Sequence, residues 1–161
     1  LGTLGSSLRL VQIQVNCGYR SDEKNNERYA YLVDDKNDLY VVSIHPGDSL
    51  VKLEIPAKKI LLFDRDHLAV ITPEGRLCFV RNTRGHIRYH WQTLHNIHSI
   101  TRYRDNDLLV CSRDGYLYHY NNHIVSPHWI KLSGLRGYEV SCYGSKRDKF
   151  YFIGHLEDML K

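Results

Sequence analysis

No stretch of this sequence approaches 18 consecutive apolar residues, which excludes a membrane-spanning helix. The opening segment, LGTLGSSLRL, has neither a basic start nor a long apolar core and is not an intact signal peptide. It also lacks an initiator Met, so the expected explanation is a processed chain or a piece of something longer. Cysteine is sparse, at Cys17, Cys78, Cys111 and Cys142 only. These four are too widely spaced for a Cys-x-x-Cys zinc knuckle, and there is no N-x-S/T glycosylation sequon. They are expected to be buried thiols in a reducing compartment, placing the protein inside the cell, in cytoplasm or nucleus. There is no G-x-S-x-G nucleophile elbow, and the glycine-rich Gly2 to Ser7 lacks the G-K-[ST] of a phosphate loop. Acidic pairs such as Asp34–Asp35 and Glu157–Asp158 fall in turn-like segments, where solvated carboxylates are ordinary. No enzyme and no cofactor are expected on these grounds.

What is abundant is tyrosine, 12 residues against a single Met, a bias toward pleated, half-buried strands. Charge is unevenly spread. Residues 1–57 carry a net −2, residues 58–104 a net +6, and residues 105–161 are balanced. The middle third is thus a basic block.

The chain also repeats itself. KILLFDRDHLAVITPEGRLCFV begins at Lys59 and SITRYRDNDLLVCSRDGYLYHY at Ser99, 40 residues later. Ile60 matches Ile100, Val70 matches Val110, Gly75 matches Gly115 and Leu77 matches Leu117. Turn positions agree as well as apolar ones, which a chance apolar run does not do. An earlier copy, RYAYLVDDKNDLYVVS, puts Asn37 where the glycines fall, and Asn is the next most tolerant residue of a left-handed conformation. A fourth copy starts at Tyr138. Each copy reads as short strands. In the best one these are ILLFD, HLAVIT, RLCFVR and IRYHWQTL, with Asn37, Gly75 and Gly115 predicted as structural turn residues at the central hairpin.

A period near 40 residues with four strands per unit resembles a β-propeller of WD-repeat-like type, in a degenerate and partial form. The resemblance is one of architecture. Trp91 precedes Gln92 and Trp129 precedes Ile130, so the WD dipeptide is missing, and the family's Asp–His network transfers to no residue here. The expected fold is therefore all-β, a propeller-like array of four-stranded antiparallel blades with about three and a half blades present. It forms one partial domain, 1–161, with units 8–57, 58–98, 99–137 and an incomplete 138–161. Blades bury both sheet faces, so the terminal ones are expected to need cover, from further blades of the same parent protein or from a protein partner. Leu8, Leu10, Ile13 and Val15 in the first strand, and Phe150, Phe152 and Ile153 in the last, are the apolar residues available for it.

Two clusters are candidate sites. His86, His90, His95, His98, His119, His123 and His128 crowd one stretch. Residues four apart on a strand are about 13 Å apart, too far to share a metal, so no metal site is predicted. The basic block gives the candidate binding patch: Arg81, Arg84, Arg88, Tyr89, Trp91, Arg102, Tyr103 and Arg104. Arginine interleaved with aromatics suits an acidic protein or RNA, by pairing phosphates and stacking bases. The expected function is a protein–protein interaction scaffold within a larger complex. The alternatives are an RNA-contacting propeller of a ribonucleoprotein and a fragment of a propeller enzyme.

Overall fold

A computed structural model describes residues 8–15, 28–43, 49–64, 66–104, 107–121, 129–143 and 149–154. They form 13 strands: β1 (Leu10–Val15), β2 (Tyr29–Asp34), β3 (Asp38–Ser43), β4 (Val51–Pro56), β5 (Lys59–Leu62), β6 (His67–Ile71), β7 (Arg76–Thr83), β8 (His86–His95), β9 (Ile97–Tyr103), β10 (Asp107–Ser112), β11 (Tyr116–Tyr120), β12 (Trp129–Tyr143) and β13 (Lys149–Gly154). Among the described residues there is no α-helix, and no helix long and apolar enough to cross a membrane. The strands order as β1-β2-β3-β4, β5-β6-β7-β8 and β9-β10-β11-β12-β13, three open sheets in which sequence neighbours are hydrogen-bonded neighbours. By contact the chain divides into two compact units, Leu1–Pro73 with Cys78–His90, and Glu74–Leu77 with Trp91–Lys161.

The expected four-strand units are recognisable in the sheets. Around the expected boundary at 137/138, β12, a strand of 15 residues, changes partners. Its first half pairs with β11 (Tyr120↔Trp129, Tyr116↔Arg136) and its second half with β13 (Val140↔Phe152). Along its pairing with β11 the register shifts, from Tyr118↔Lys131 to Tyr116↔Arg136, the mark of a bulge in β12.

Within each repeat, burial follows strand position. The second strands are buried on both faces and are continuous apolar runs (YAYLVD, HLAVI, DLLVCS). β4 alternates exposed and buried residues, as an outer strand with one wet face does. The hairpin between the second and third strands turns through a left-handed residue each time, at Asn37 (φ 67°), Gly75 (82°) and Gly115 (91°), as the sequence predicts. At Gly75 a Cβ would also lie 3.2 Å from the Asn96 Cα. The hairpins are tied to the neighbouring connections in the same way. Asn37 O accepts from Ala57 N–H (2.8 Å), and Gly75 O accepts from Ile97 N–H (3.0 Å).

In the first unit, Tyr31, Val33 and Leu39 of the first sheet pack with Ile60 of β5 in one buried cluster. In the second unit, Leu109, Cys111 and Leu117 pack with Val140 of β12. These are the same four positions of the repeat, so the structure makes one core twice.

At and just before β1, Leu8 and Leu10 are half-buried, and Ile13 and Val15 are exposed, apolar residues still available for cover. The inward face is held by Gln12 and Gln14, because the edge of β5 offers backbone groups that need partners. The Gln12 amide donates to Lys58 O (2.6 Å), and its Oε1 accepts from Ile60 N–H (3.0 Å). Gln14 Oε1 accepts from Leu62 N–H (3.4 Å). The side chains of Phe150, Phe152 and Ile153, and all of Cys17 and Glu157–Asp158, lie outside the described residues. Of the other thiols, Cys78 and Cys111 are buried and Cys142 is half-buried. Burial first, and the Glu139 charge second, push the Cys111 thiol up to about 12.

Candidate functional site

The basic segment is built on the β7–β8 hairpin. Its two-residue turn, Arg84-Gly85, has both residues left-handed (φ 53° and 90°), the mirror-image turn that matches strand twist. Asn82 fixes it from below. Its Oδ1 accepts from Gly85 N–H (2.9 Å), and its amide donates to the Tyr31 hydroxyl (3.1 Å). Burial, with the nearby Asp66 charge, raises the Tyr31 pKa despite that hydrogen bond, so its hydroxyl stays neutral and available as the acceptor.

Strand alternation then sorts the side chains. Cys78, Val80, Ile87 and Tyr89 point to the core of the first unit. Arg81, Thr83, His86, Arg88 and His90 are exposed, as is Arg84 at the tip. Among the described residues, no carboxylate pairs with Arg81, Arg84 or Arg88. The hairpin therefore presents three guanidinium groups on a rigid support, each carrying five donors and a permanent charge.

The other candidate residues do different work. Tyr89 is half-buried, and its hydroxyl accepts from Glu54 N–H (3.1 Å). Trp91 is exposed, with the Arg76 guanidinium 4.2 Å from its ring centre. Arg102 and Tyr103 are half-buried on β9. Arg104 lies over the Tyr103 ring at 5.1 Å, and Tyr103 itself packs against the second unit's core. The candidate residues thus give an exposed triple-arginine hairpin in one unit and, in the other, an Arg76–Trp91 stack and a Tyr103–Arg104 pair.

Of the histidines, His86, His90 and His98 are exposed, the His95 side chain is outside the description, and so are His123 and His128. His119 is buried, with Nε2 2.9 Å from Asp107 Oδ2 and its ring edge-on to Tyr103 at 5.5 Å. The sequence reading missed this pair, although the 40-residue shift carries its signal. His119 stands where the previous copy has Phe79, and Asp107 where it has His67. Two polar substitutions at buried positions of one repeat are what a compensated pair looks like.

No protein-family model matches this chain. No curated protein matches it.

Proposed function

We propose that this chain is a binding scaffold, an array of propeller-like blades that engages protein partners inside a larger assembly and carries no catalytic centre of its own. The observation that carries this reading is the β7–β8 hairpin, with Arg81, Arg84 and Arg88 exposed on a rigid turn. The repeated blade-to-blade core, Tyr31, Val33, Leu39 with Ile60 and Leu109, Cys111, Leu117 with Val140, supports the propeller arrangement. A basic hairpin of this kind suits an acidic peptide or acidic protein face, where a cluster of cations steers and orients the partner. The ring is completed by further blades of the parent protein or by a partner.

One observation favours RNA as the second reading. Trp91 is exposed and already backed by Arg76, which is the form of a base-stacking platform. The two readings separate in one experiment with polyglutamate and a short single-stranded RNA as probes. Under the first, polyglutamate binds, and Arg81→Glu with Arg84→Glu weakens it strongly while thermal stability barely moves. Under the second, RNA binds with a steep negative slope of log K against log salt and loses affinity in Trp91→Ala. Loss of folding in the arginine variants would assign these residues to structure, and failure to bind either probe would remove the hairpin as a site.

A further inference from the structure

The first strands of the four repeats are β1, β5, β9 and the second half of β12, and they carry an equivalent aliphatic residue. Register fixes it. Ile13 pairs with Leu32, Ile60 with Val70 and Ile100 with Val110, and Leu32, Val70 and Val110 hold one position of the repeat. The strand entries agree independently. Asp35 N–H donates to Arg9 O, and Arg113 N–H donates to Asn96 O, the same bond in two copies. Val140 follows Ile100 by 40 residues.

Three of these residues are buried, Ile60 at 2%, Ile100 at 4% and Val140 at 3% exposure, whereas Ile13 is 56% exposed. Its strand neighbours on the same face, Val11 and Val15, are also exposed, at 58% and 43%. Three β-branched residues at alternate positions form an apolar stripe. The opposite face cannot trade places with it by a one-residue slip, because Gln12 and Gln14 are bonded to β5 backbone there.

The two internal junctions show what belongs on such a stripe. In each, the first-strand aliphatic lies against a trio from the second and third strands of a neighbouring sheet, Tyr31–Val33–Leu39 for Ile60 and Leu109–Cys111–Leu117 for Val140. The chain carries a further copy of the second-strand receiving positions. On β13, Phe152 pairs with Val140 as Val110 pairs with Ile100. Tyr151 and Ile153 therefore hold the register positions of Leu109 and Cys111.

We propose that the Val11–Ile13–Val15 face is a self-association surface that docks against the β12–β13 sheet of a second copy of this chain. The contact is head-to-tail, β1 of one copy to β13 of the other. A heterologous contact of this kind closes into a ring or extends into a longer chain according to its rotation. This deepens the scaffold reading and rests on its repeat architecture, but not on the arginine hairpin.

Sedimentation velocity of the whole chain across a concentration series tests it. Reversible self-association is expected. Ile13→Glu should weaken it roughly 100-fold or more, with unchanged circular dichroism because the side chain is already exposed. Ile13→Glu and Ile153→Lys proteins, each monomeric alone, should associate when mixed. A chain that stays monomeric across the series overturns the proposal, as does association that survives Ile13→Glu in a folded protein. A monomer that still binds polyglutamate through Arg81 and Arg84 would defeat this inference and leave the scaffold reading standing.

Discussion

Two repeats solve one packing problem with different chemistry. In the second repeat, Phe63, His67 and Phe79 meet as rings, with centroids 4.9 Å apart for Phe63–Phe79 and 5.8 Å for Phe63–His67. In the third, the same positions are Tyr103, Asp107 and His119, and the contact is a buried His–Asp hydrogen bond beneath an aromatic edge. The central hairpins differ in the same spirit. In the first repeat the Asp34 carboxylate accepts from Lys36 N–H (3.0 Å), Asp38 N–H (2.8 Å) and the Tyr40 hydroxyl (3.1 Å). In the third, Asp114 accepts from Tyr116 N–H (3.0 Å), the Tyr118 hydroxyl (3.1 Å) and the Ser112 hydroxyl. Tyr40 and Tyr118 are equivalent residues, as are Asp38 and Tyr116. One acceptor site is filled from two turn positions, so the backbone requirement is fixed and the residue that meets it is not.

Substitution can break this comparison most forcefully at the buried pair. His119→Ala removes a buried hydrogen bond to the Asp107 carboxylate, and should cost about 1–3 kcal/mol in urea unfolding. His67→Ala, at a part-exposed site, should cost far less. Asp107→His with His119→Phe restores two of the three rings of the second repeat, beside Tyr103, and should recover most of the loss. A small effect of His119→Ala would mean that the two repeats do not differ energetically at all. Next come the turns. Gly75→Ala and Gly115→Ala should each lose about 1 kcal/mol through positive φ, Gly75→Ala the more because of the Asn96 approach. Equal losses would show that Asn96 yields.

The tyrosines sharpen the comparison further. Tyr40→Phe and Tyr118→Phe each remove a hydrogen bond to a carboxylate, and each should cost about 1 kcal/mol. Unequal values would show that the two turns are not interchangeable. The smallest effect is on pH dependence. Burial raises the Asp114 pKa, but bonds from Ser112, Tyr116 and Tyr118 and the Lys131 charge outweigh it, so the pKa is lowered overall. Its contribution is present above the ordinary carboxylate pKa and is lost as pH falls through the lowered folded value. For Tyr118, burial and then the Asp114 hydrogen bond raise the pKa, so its contribution is intact below pH 10 and is lost as pH rises through the folded value. Melting curves across pH should therefore fall at both extremes, and Tyr118→Phe should flatten the alkaline side.

Strands and hairpins were legible because their signals are local. A left-handed turn demands Gly or Asn, and Gly75, Gly115 and Asn37 announce it in the sequence. The orientation of β1 was not legible, because alternation gives two faces without saying which is inward. Gln12 and Gln14 won that choice through bonds to residues 46 to 48 positions away. The sorting of the basic run was hidden for a similar reason. Arg81 and Tyr89 look alike as members of a basic aromatic run, but strand parity sends the arginine to solvent and the tyrosine to the core.

The continuity of β12 has a mechanical meaning. Its 15 residues are one strand, gripped by β11 along one stretch and by β13 along the other, with a bulge between Lys131 and Arg136. Fraying at either end pulls on the same backbone, so the third and fourth repeats share their opening fluctuations as one cooperative segment. The first and second repeats are tied near Gln12 by side-chain amides, a joint that can yield without unthreading a strand. Stiffness is thus distributed unequally along the chain, with the pliant joint next to the uncovered stripe of β1.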